Sequence, residues 1–226
     1  MRSNRTRAIV LRRTNYGEAD RILQLLTPEG KQSAIAKGVR KEKSRLAGGI
    51  ELFAICDLVV SRGKGELGLI TSARLVHFYR HILEDYDRMQ FGYEAIKQVS
   101  RGSDMIEAAD WYDLLAETLA GLDARSIDRQ LIETWFYLRF ADLAGYGLSL
   151  YVDVDGQALS ADASYSYDDV QKGLRQRDQG SLTSDHIKLL RLIAAKPLEV
   201  LNRVGGIDDV ISECLLAARR HAALPT

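Results

Sequence analysis

The chain changes its hydrophobic rhythm once. Up to about residue 76 the apolar positions come in short runs broken by polar, glycine-containing turns. Ala8-Ile9-Val10-Leu11 is the centre of a run from Arg7 to Arg13. Asp20 to Thr27 places Leu23 and Leu25 on one parity and Ile22 and Leu26 on the other. Pro28-Glu29-Gly30 then supplies a turn, because proline fixes φ and glycine permits a positive one. Three more runs follow: Lys31 to Lys37 around Ile35, Phe53 to Ser61, and Glu66 to Leu75 beyond the turn Gly63-Lys64-Gly65. Five short strands joined by tight turns predict a small closed or nearly closed barrel. Gly38 to Gly49, basic and polar, is a loop or a short helix between the third and fourth strands.

After His77 the spacing turns helical. Ile82, Tyr86, Met89, Tyr93 and Ile96 make one stripe, and Trp111, Leu114, Leu115, Thr118, Leu119 and Leu122 a second. Ser126 is placed as the N-cap of a third helix, which carries Ile127, Leu131, Trp135 and Leu138, runs to Leu143 and ends at Gly145. Thr183 to Ala195, stopped by Pro197, and Ile207 to Ala218 are the later helices. Tyr151 to Tyr167 breaks the rhythm, since Tyr151 to Asp155 alternates and Asp155-Gly156 signals a hairpin. The expected class is α+β: a strand-rich domain over 1–80, then a helical domain over 81–226 with a small β insertion at 151–167.

Charge divides the chain at the same place. Residues 1–80 hold 16 Lys and Arg against 7 Asp and Glu, whereas 81–226 hold 15 against 24, so a net charge of zero hides two surfaces of opposite sign. The basic half suits a polyanion. Its densest stretch, Lys37 to Arg45, has five cations and one acid in nine residues. With Arg12 and Arg13 at the end of strand one and Arg62 and Lys64 at the fourth turn, this makes Arg12, Arg13, Lys37, Arg40, Lys41, Lys43, Arg45, Arg62 and Lys64 candidate phosphate contacts. Barrels of this kind bind single strands through a basic groove with aromatic platforms. Among Tyr16, Phe53, Phe78 and Tyr79, Phe53 sits in an apolar run, and Tyr16, in a polar loop, is the stacking candidate.

Other motifs fall to plainer readings. Gly63, Gly65 and Gly68 fit G-x-G-x-x-G, but a strand follows where a dinucleotide site needs a helix N-terminus. Asp153-Val154-Asp155-Gly156 begins like a calcium loop but lacks its remaining ligands, so it is read as a turn. His77 and His81 have metal-ligand spacing without a third ligand in the motif. Cys56 and Cys214 are read as buried reduced thiols. No run is long enough to span a membrane, and a soluble, intracellular protein is expected.

Several short motifs are familiar in their order. Ala8-Ile9-Val10-Leu11-Arg12, Asn15-Tyr16-Gly17-Glu18-Ala19-Asp20-Arg21-Ile22-Leu23, Thr27-Pro28-Glu29-Gly30-Lys31, Ala36-Lys37-Gly38-Val39-Arg40-Lys41, Lys43-Ser44-Arg45-Leu46, Leu52-Phe53 and Arg62-Gly63-Lys64-Gly65-Glu66-Leu67 resemble the bacterial RecO family of DNA repair proteins. The resemblance is dense over 8–76 and rests on helical layout beyond residue 80. It implies an N-terminal OB-fold and a helical domain. It also implies a non-catalytic recombination mediator that binds single- and double-stranded DNA and anneals complementary strands. Such a mediator works with RecR, contacts the C-terminal tail of single-strand binding protein, and so indirectly helps load RecA.

Many members of that family hold zinc on four cysteines in the helical half, and this chain has no cysteine between Cys56 and Cys214. The expectation is therefore no cofactor, with Asp153 and Asp155 where soft ligands would stand and a zinc-module-like insertion kept without its metal. Two other classes remain in view. One is a protein-interaction adaptor using the acidic half. The other is a nucleotidyl transferase with Lys37 as nucleophile, against which Val39 stands where an acid is expected.

Overall fold

The structure, a computed structural model, describes residues 2–62, 65, 67–106 and 110–223. It consists of two compact units, Met1–Asp123 and Ala124–Thr226. The change of rhythm near residue 76 coincides with the end of the last barrel strand, and the first unit continues through two further helices.

In the first unit β1 (Arg2–Tyr16), β2 (Asp20–Thr27), β3 (Gly30–Ala36), β4 (Ala54–Arg62) and β5 (Gly68–Phe78) close a barrel in the order β1-β2-β3-β5-β4, an OB-like arrangement. Neighbours are antiparallel except β3 and β5, which pair in parallel over Ala34–Gly68 and Ile35–Leu69. One parity of each strand fills the interior with Ala8, Val10, Leu23, Leu25, Ala34, Ala36, Cys56, Leu58, Val60 and Ile70. Each large aliphatic side chain so buried contributes about 1.5–3 kcal/mol. β1 begins at Arg2 rather than Arg7; the positions of Ala8's parity before it are polar, Thr6 buried and Asn4 exposed, so no apolar run marks them. The Thr6 hydroxyl donates to Glu29 at 2.9 Å and holds that carboxyl below its usual range. A register shift between Val10 and Arg12 bends β1, so that its first half pairs with β4 and its second half with β2.

The segment between β3 and β4 is a chain of turns with one 3-10 turn at Ala47–Gly49. Val39 and Ile50 enter the barrel core, and Leu46, Ala47 and Leu52 pack against it, so the stretch from Val39 to Ile50 acts as a plug on that core. Gly49 lies so close to β5 that a Cβ there would come within 2.5 Å of the Ala73 carbonyl carbon.

A 3-10 turn at Arg80–Glu84 leads into α1 (Tyr86–Met105) and α2 (Asp110–Asp123). The α2 stripe is as the spacing predicts, but the α1 stripe is not. Tyr86 and Tyr93 are exposed, and the buried face is Arg88, Phe91, Gly92, Ala95, Ile96, Val99 and Gly102. Two contacts turn the helix this way. Gly92 lies against Phe53, whose ring a Cβ would meet at 2.8 Å, and the Arg88 guanidinium donates to the Leu122 carbonyl at 2.9 Å, where the end of α2 leaves acceptors open. Lys31 fixes the far end of α1 to β3, donating to the Ser100 carbonyl at 3.0 Å and to Asp104 at 2.7 Å.

In the second unit α3 (Arg129–Leu143) is capped by Asp128, whose carboxylate accepts from the Leu131 amide at 3.1 Å, and not by Ser126. Asp128 is the residue from which a side-chain acceptor reaches the N3 amide. Gly145, at φ +82, ends the helix as expected. The β insertion lies further along than the alternation at 151–167 predicts. Asp153 accepts amides from Asp155 and Gln157, so Tyr151 to Ala158 closes as a tight turn with the single bridge Val152–Ala158. The ladder is β6 (Tyr165–Asp168) with β7 (Gly173–Gln176), where Tyr165 and Tyr167 present one buried face.

α4 (Ser184–Ala195) runs from a Thr183 capping box to Lys196. The short α5 (Leu198–Leu201) and α6 (Ile211–Ala222) follow. α6 starts after Ile207 and Val210, which the apolar spacing had assigned to it, because Asp208–Val210 forms a turn, and it continues past Ala218. Among the described residues no helix is long and apolar enough to cross a membrane.

Candidate nucleic-acid interface

The basic segment after β3 is anchored to the β1–β2 turn. The Gly38 amide donates to Asp20 Oδ1 at 2.7 Å, the Arg40 amide to the Ala19 carbonyl at 2.9 Å, and the Arg40 guanidinium to the Gly17 carbonyl at 3.4 Å. Gly38 takes φ +64, a backbone conformation glycine adopts without cost. Turn bonds from Lys41 to Gly38 and from Ser44 to Lys41 carry the fold through Lys43. The cations are thus displayed on a structured surface at one end of the barrel.

Tyr16 ends β1 opposite Asp20 at this place, with 56% of its surface exposed, so its ring is open to a stacking partner. Arg12, Lys37, Lys41, Lys43 and Arg45 are exposed and form no ion pair among the described residues. Arg13 differs, because its guanidinium is 2.8 Å from Glu51, which follows the barrel plug. Arg40 is partly committed to Gly17. Of the other aromatic residues, Phe53 and Tyr79 are buried, and burial pushes the Tyr79 hydroxyl up to about 12, whereas Phe78 is half-exposed.

Arg62 stands apart from this group. It pairs with Arg2 at the start of β1, the opposite end from Tyr16, and its guanidinium donates to Gln32 at 2.9 Å. Lys64 and Gly63 lie outside the described residues. Composition groups Arg62 with the loop, but strand direction separates them. Asp20 and Glu51 are the organising residues that charge counting passes over, because a carboxylate in a basic domain reads as dilution of charge. Asp20, immediately after a turn and opposite a glycine-containing loop, is the one the sequence hints at.

Gly68 opens β5, so a strand does follow the glycine motif. His77 and His81 both face Asp123, at 4.0 and 3.5 Å, within the first unit. Among the described residues no group of three or more His, Cys, Asp or Glu is arranged to hold a metal ion. The zinc that many relatives of this resemblance carry does not fit the residues present. Asp153 is occupied by two amides, and Asp155 by Arg175 at 3.0 Å. Cys56 and Cys214 are buried in β4 and α6, their thiols pushed up by burial to about 11 and about 12.

Comparison with known proteins agrees with the barrel and its helical continuation. Residues 1–79 match the family pattern described as Recombination protein O N terminal, and residues 104–220 that described as Recombination protein O C terminal. A DNA repair protein RecO from Roseiflexus sp. is 32% identical over 225 residues, covering 95% of this chain and 78% of that protein. Its counterpart in Heliobacterium modesticaldum is 41% identical over 157 residues, covering 68% of this chain and 56% of that protein. The one in Dehalococcoides mccartyi is 29% identical over 225 residues, covering 96% and 88%. The chain belongs to the RecO family of DNA repair proteins.

Proposed function

We propose that this protein is a non-catalytic recombination mediator that binds single- and double-stranded DNA through the barrel end formed by the β1–β2 turn and residues 37–45. The observation that carries the reading is the set of exposed cations that form no ion pair among the described residues, Arg12, Lys37, Lys41, Lys43 and Arg45, beside the open ring of Tyr16. Such cations contact phosphates and read little sequence, which suits a protein that must act on any strand. They also give annealing a physical basis, since a cationic surface screens the repulsion between two approaching backbones. The division of labour we infer is DNA on the domain over 1–80 and protein partners on the helical domain over 81–226. Those partners are a RecR-like protein and the tail of single-strand binding protein, with RecA loaded indirectly, in the bacterial cytoplasm. The protein works without zinc, its insertion held by side chains.

Fluorescence anisotropy of a labelled single-stranded oligonucleotide across a salt series tests this. Five neutralised phosphates correspond to a slope of log K on log salt of about −3.5. Reversing charge at Lys41, Lys43 and Arg45 together should flatten that slope by about 2. An unchanged slope in the triple variant, with its circular dichroism intact, would remove the loop from the interface.

A further inference from the structure

The outer face of the barrel carries a second group of cations, away from the loop. Three adjacent strands align in rows: Arg5 beside Val59 beside Ser72, then Arg7 beside Asp57 beside Arg74. The parity is outward throughout, since the alternate residues Thr6, Leu58, Ala8 and Cys56 point to the interior. Arg5, Arg7 and Arg74 are exposed. Asp57 is the carboxylate among them. Its Oδ2 is 2.8 Å from the Arg5 guanidinium and 2.8 Å from that of Arg74, and its side chain is 15% exposed. Arg7 forms no ion pair among the described residues. The exposed hydroxyls of Ser3 and Ser72 border the cluster.

Stability alone does not account for this arrangement. One guanidinium would satisfy Asp57, and an exposed pair adds little. Arg5 and Arg7 on β1 and Arg74 on β5 flank the single carboxylate of Asp57 on the strand between them, so three cations share one counter-charge on this face. The fork of a guanidinium matches phosphate oxygens, and Asp57 holds two such forks side by side while leaving the cluster with a net positive charge.

We propose that the outer face of β1, β4 and β5 around Arg5, Arg7 and Arg74 is a second nucleic-acid site, which holds the sugar–phosphate backbone of a second strand. It is separated from the loop site along β1 by Ile9, which is fully buried, so the two patches are distinct surfaces rather than one groove. The inference rests on the reading of the barrel as a DNA-binding domain and extends it from one strand to two. Two strands held by one chain are brought to a high local concentration, which is what pairing them requires.

The test is the stoichiometry of short labelled single-stranded oligonucleotides on the full chain, measured by sedimentation at low salt. The wild type should bind two, and Arg5→Gln/Arg7→Gln/Arg74→Gln together should bind one, as should the charge-reversed loop variant. Asp57→Asn gives a readout that misfolding cannot mimic, because removing the competing carboxylate should tighten binding several-fold and steepen the salt slope by up to about 1. A wild type that binds one strand, or a face variant that still binds as the wild type does while the loop variant loses its strand, overturns the second site and leaves the loop site standing. Binding by neither the wild type nor Asp57→Asn at low salt removes both readings.

Discussion

Arg13 and Glu51 form an ion pair at 2.8 Å, joining the second half of β1 to the residue that leads out of the barrel plug. Arg12, one position earlier, lies opposite Gln24 and has no such partner among the described residues. Adjacent arginines therefore differ in their partners, and the DNA-binding reading makes them behave differently. Arg12→Ala should weaken binding of a single-stranded oligonucleotide and lower the salt slope by about 0.7, with stability unchanged. Arg13→Ala should leave the slope near that of the wild type and cost no more than about 1 kcal/mol in urea unfolding. An equal loss of slope in both variants would show that the Glu51 pair opens when DNA arrives.

Gly48 and Gly49 make a second pair of neighbours that should behave differently. A Cβ at Gly48 meets nothing within 4 Å, whereas one at Gly49 would lie 2.5 Å from backbone of β5. Gly49→Ala should destabilise by about 1–3 kcal/mol, as overpacking does, and Gly48→Ala should be near neutral. Thermal unfolding of the two variants decides it. Similar melting temperatures would mean that the plug is loosely seated.

The barrel was legible because its strands alternate cleanly around a core parity, as in Leu23 and Leu25 or Leu58 and Val60. What alternation hides is polar residues on that parity. Asn4 and Thr6 belong to β1 but look like a flank, and with them the outward register of Arg5 and Arg7 goes unseen. α1 shows the converse error. Tyr86 and Tyr93 supply an apolar stripe at helical spacing, yet the buried face joins Phe91, Ile96 and Val99 to Arg88, Gly92 and Gly102, and hydropathy does not score the last three as core. The basic loop was legible from composition. Which cations keep free charge was not, because that depends on partners such as Glu51 and Gln32, distant in sequence and adjacent only across strands.

Asp20 ties the start of the basic loop to the β1–β2 turn. Its carboxylate accepts the Gly38 amide at 2.7 Å. Asp20→Ala should lower affinity for a single strand severalfold at unchanged salt slope, because the cations remain but their arrangement loosens. Asp20→Asn, which keeps an acceptor oxygen, should restore the affinity. If Asp20→Ala instead tightens binding, the carboxylate acts through its charge and the anchoring role is wrong.

The insertion should depend on side chains rather than on metal. Arg175 is 2.7 Å from Asp168 and 3.0 Å from Asp155, and the Val154 amide donates to the Leu174 carbonyl at 2.8 Å. Asp168 also accepts the amides of Val170 and Gln171, and these bonds with Arg175 hold its carboxyl down to about 2. Prolonged treatment with a strong chelator should leave the melting temperature unchanged, while Arg175→Ala should lower it. A drop in melting temperature on chelation, reversed by zinc, would contradict the metal-free account.

His221 gives the second unit a pH dependence. Its ring is buried, with Nδ1 3.0 Å from the Tyr167 hydroxyl and Nε2 2.6 Å from the Tyr146 carbonyl. The neutral ring satisfies both contacts if Nε2 donates and Nδ1 accepts. Burial pushes its pKa below 6.5, and the Lys172 cation adds to this, while the Tyr146 carbonyl and Asp142 act against it. The unfolded chain takes up the proton near 6.5 and the folded one resists it. The stabilisation is therefore complete above about pH 6.5 and lost as pH falls through the lower, folded value. Asp142, raised above 3.8 by its own burial, works in the opposite sense at lower pH, so the His221 effect belongs to the first acid step. His221→Phe should be less stable at neutral pH by about 1–3 kcal/mol, since two buried polar groups lose their partner, yet its stability should be flat across that step. Urea unfolding of wild type and variant between pH 7 and pH 5 compares them. Parallel curves would assign the acid sensitivity to another group.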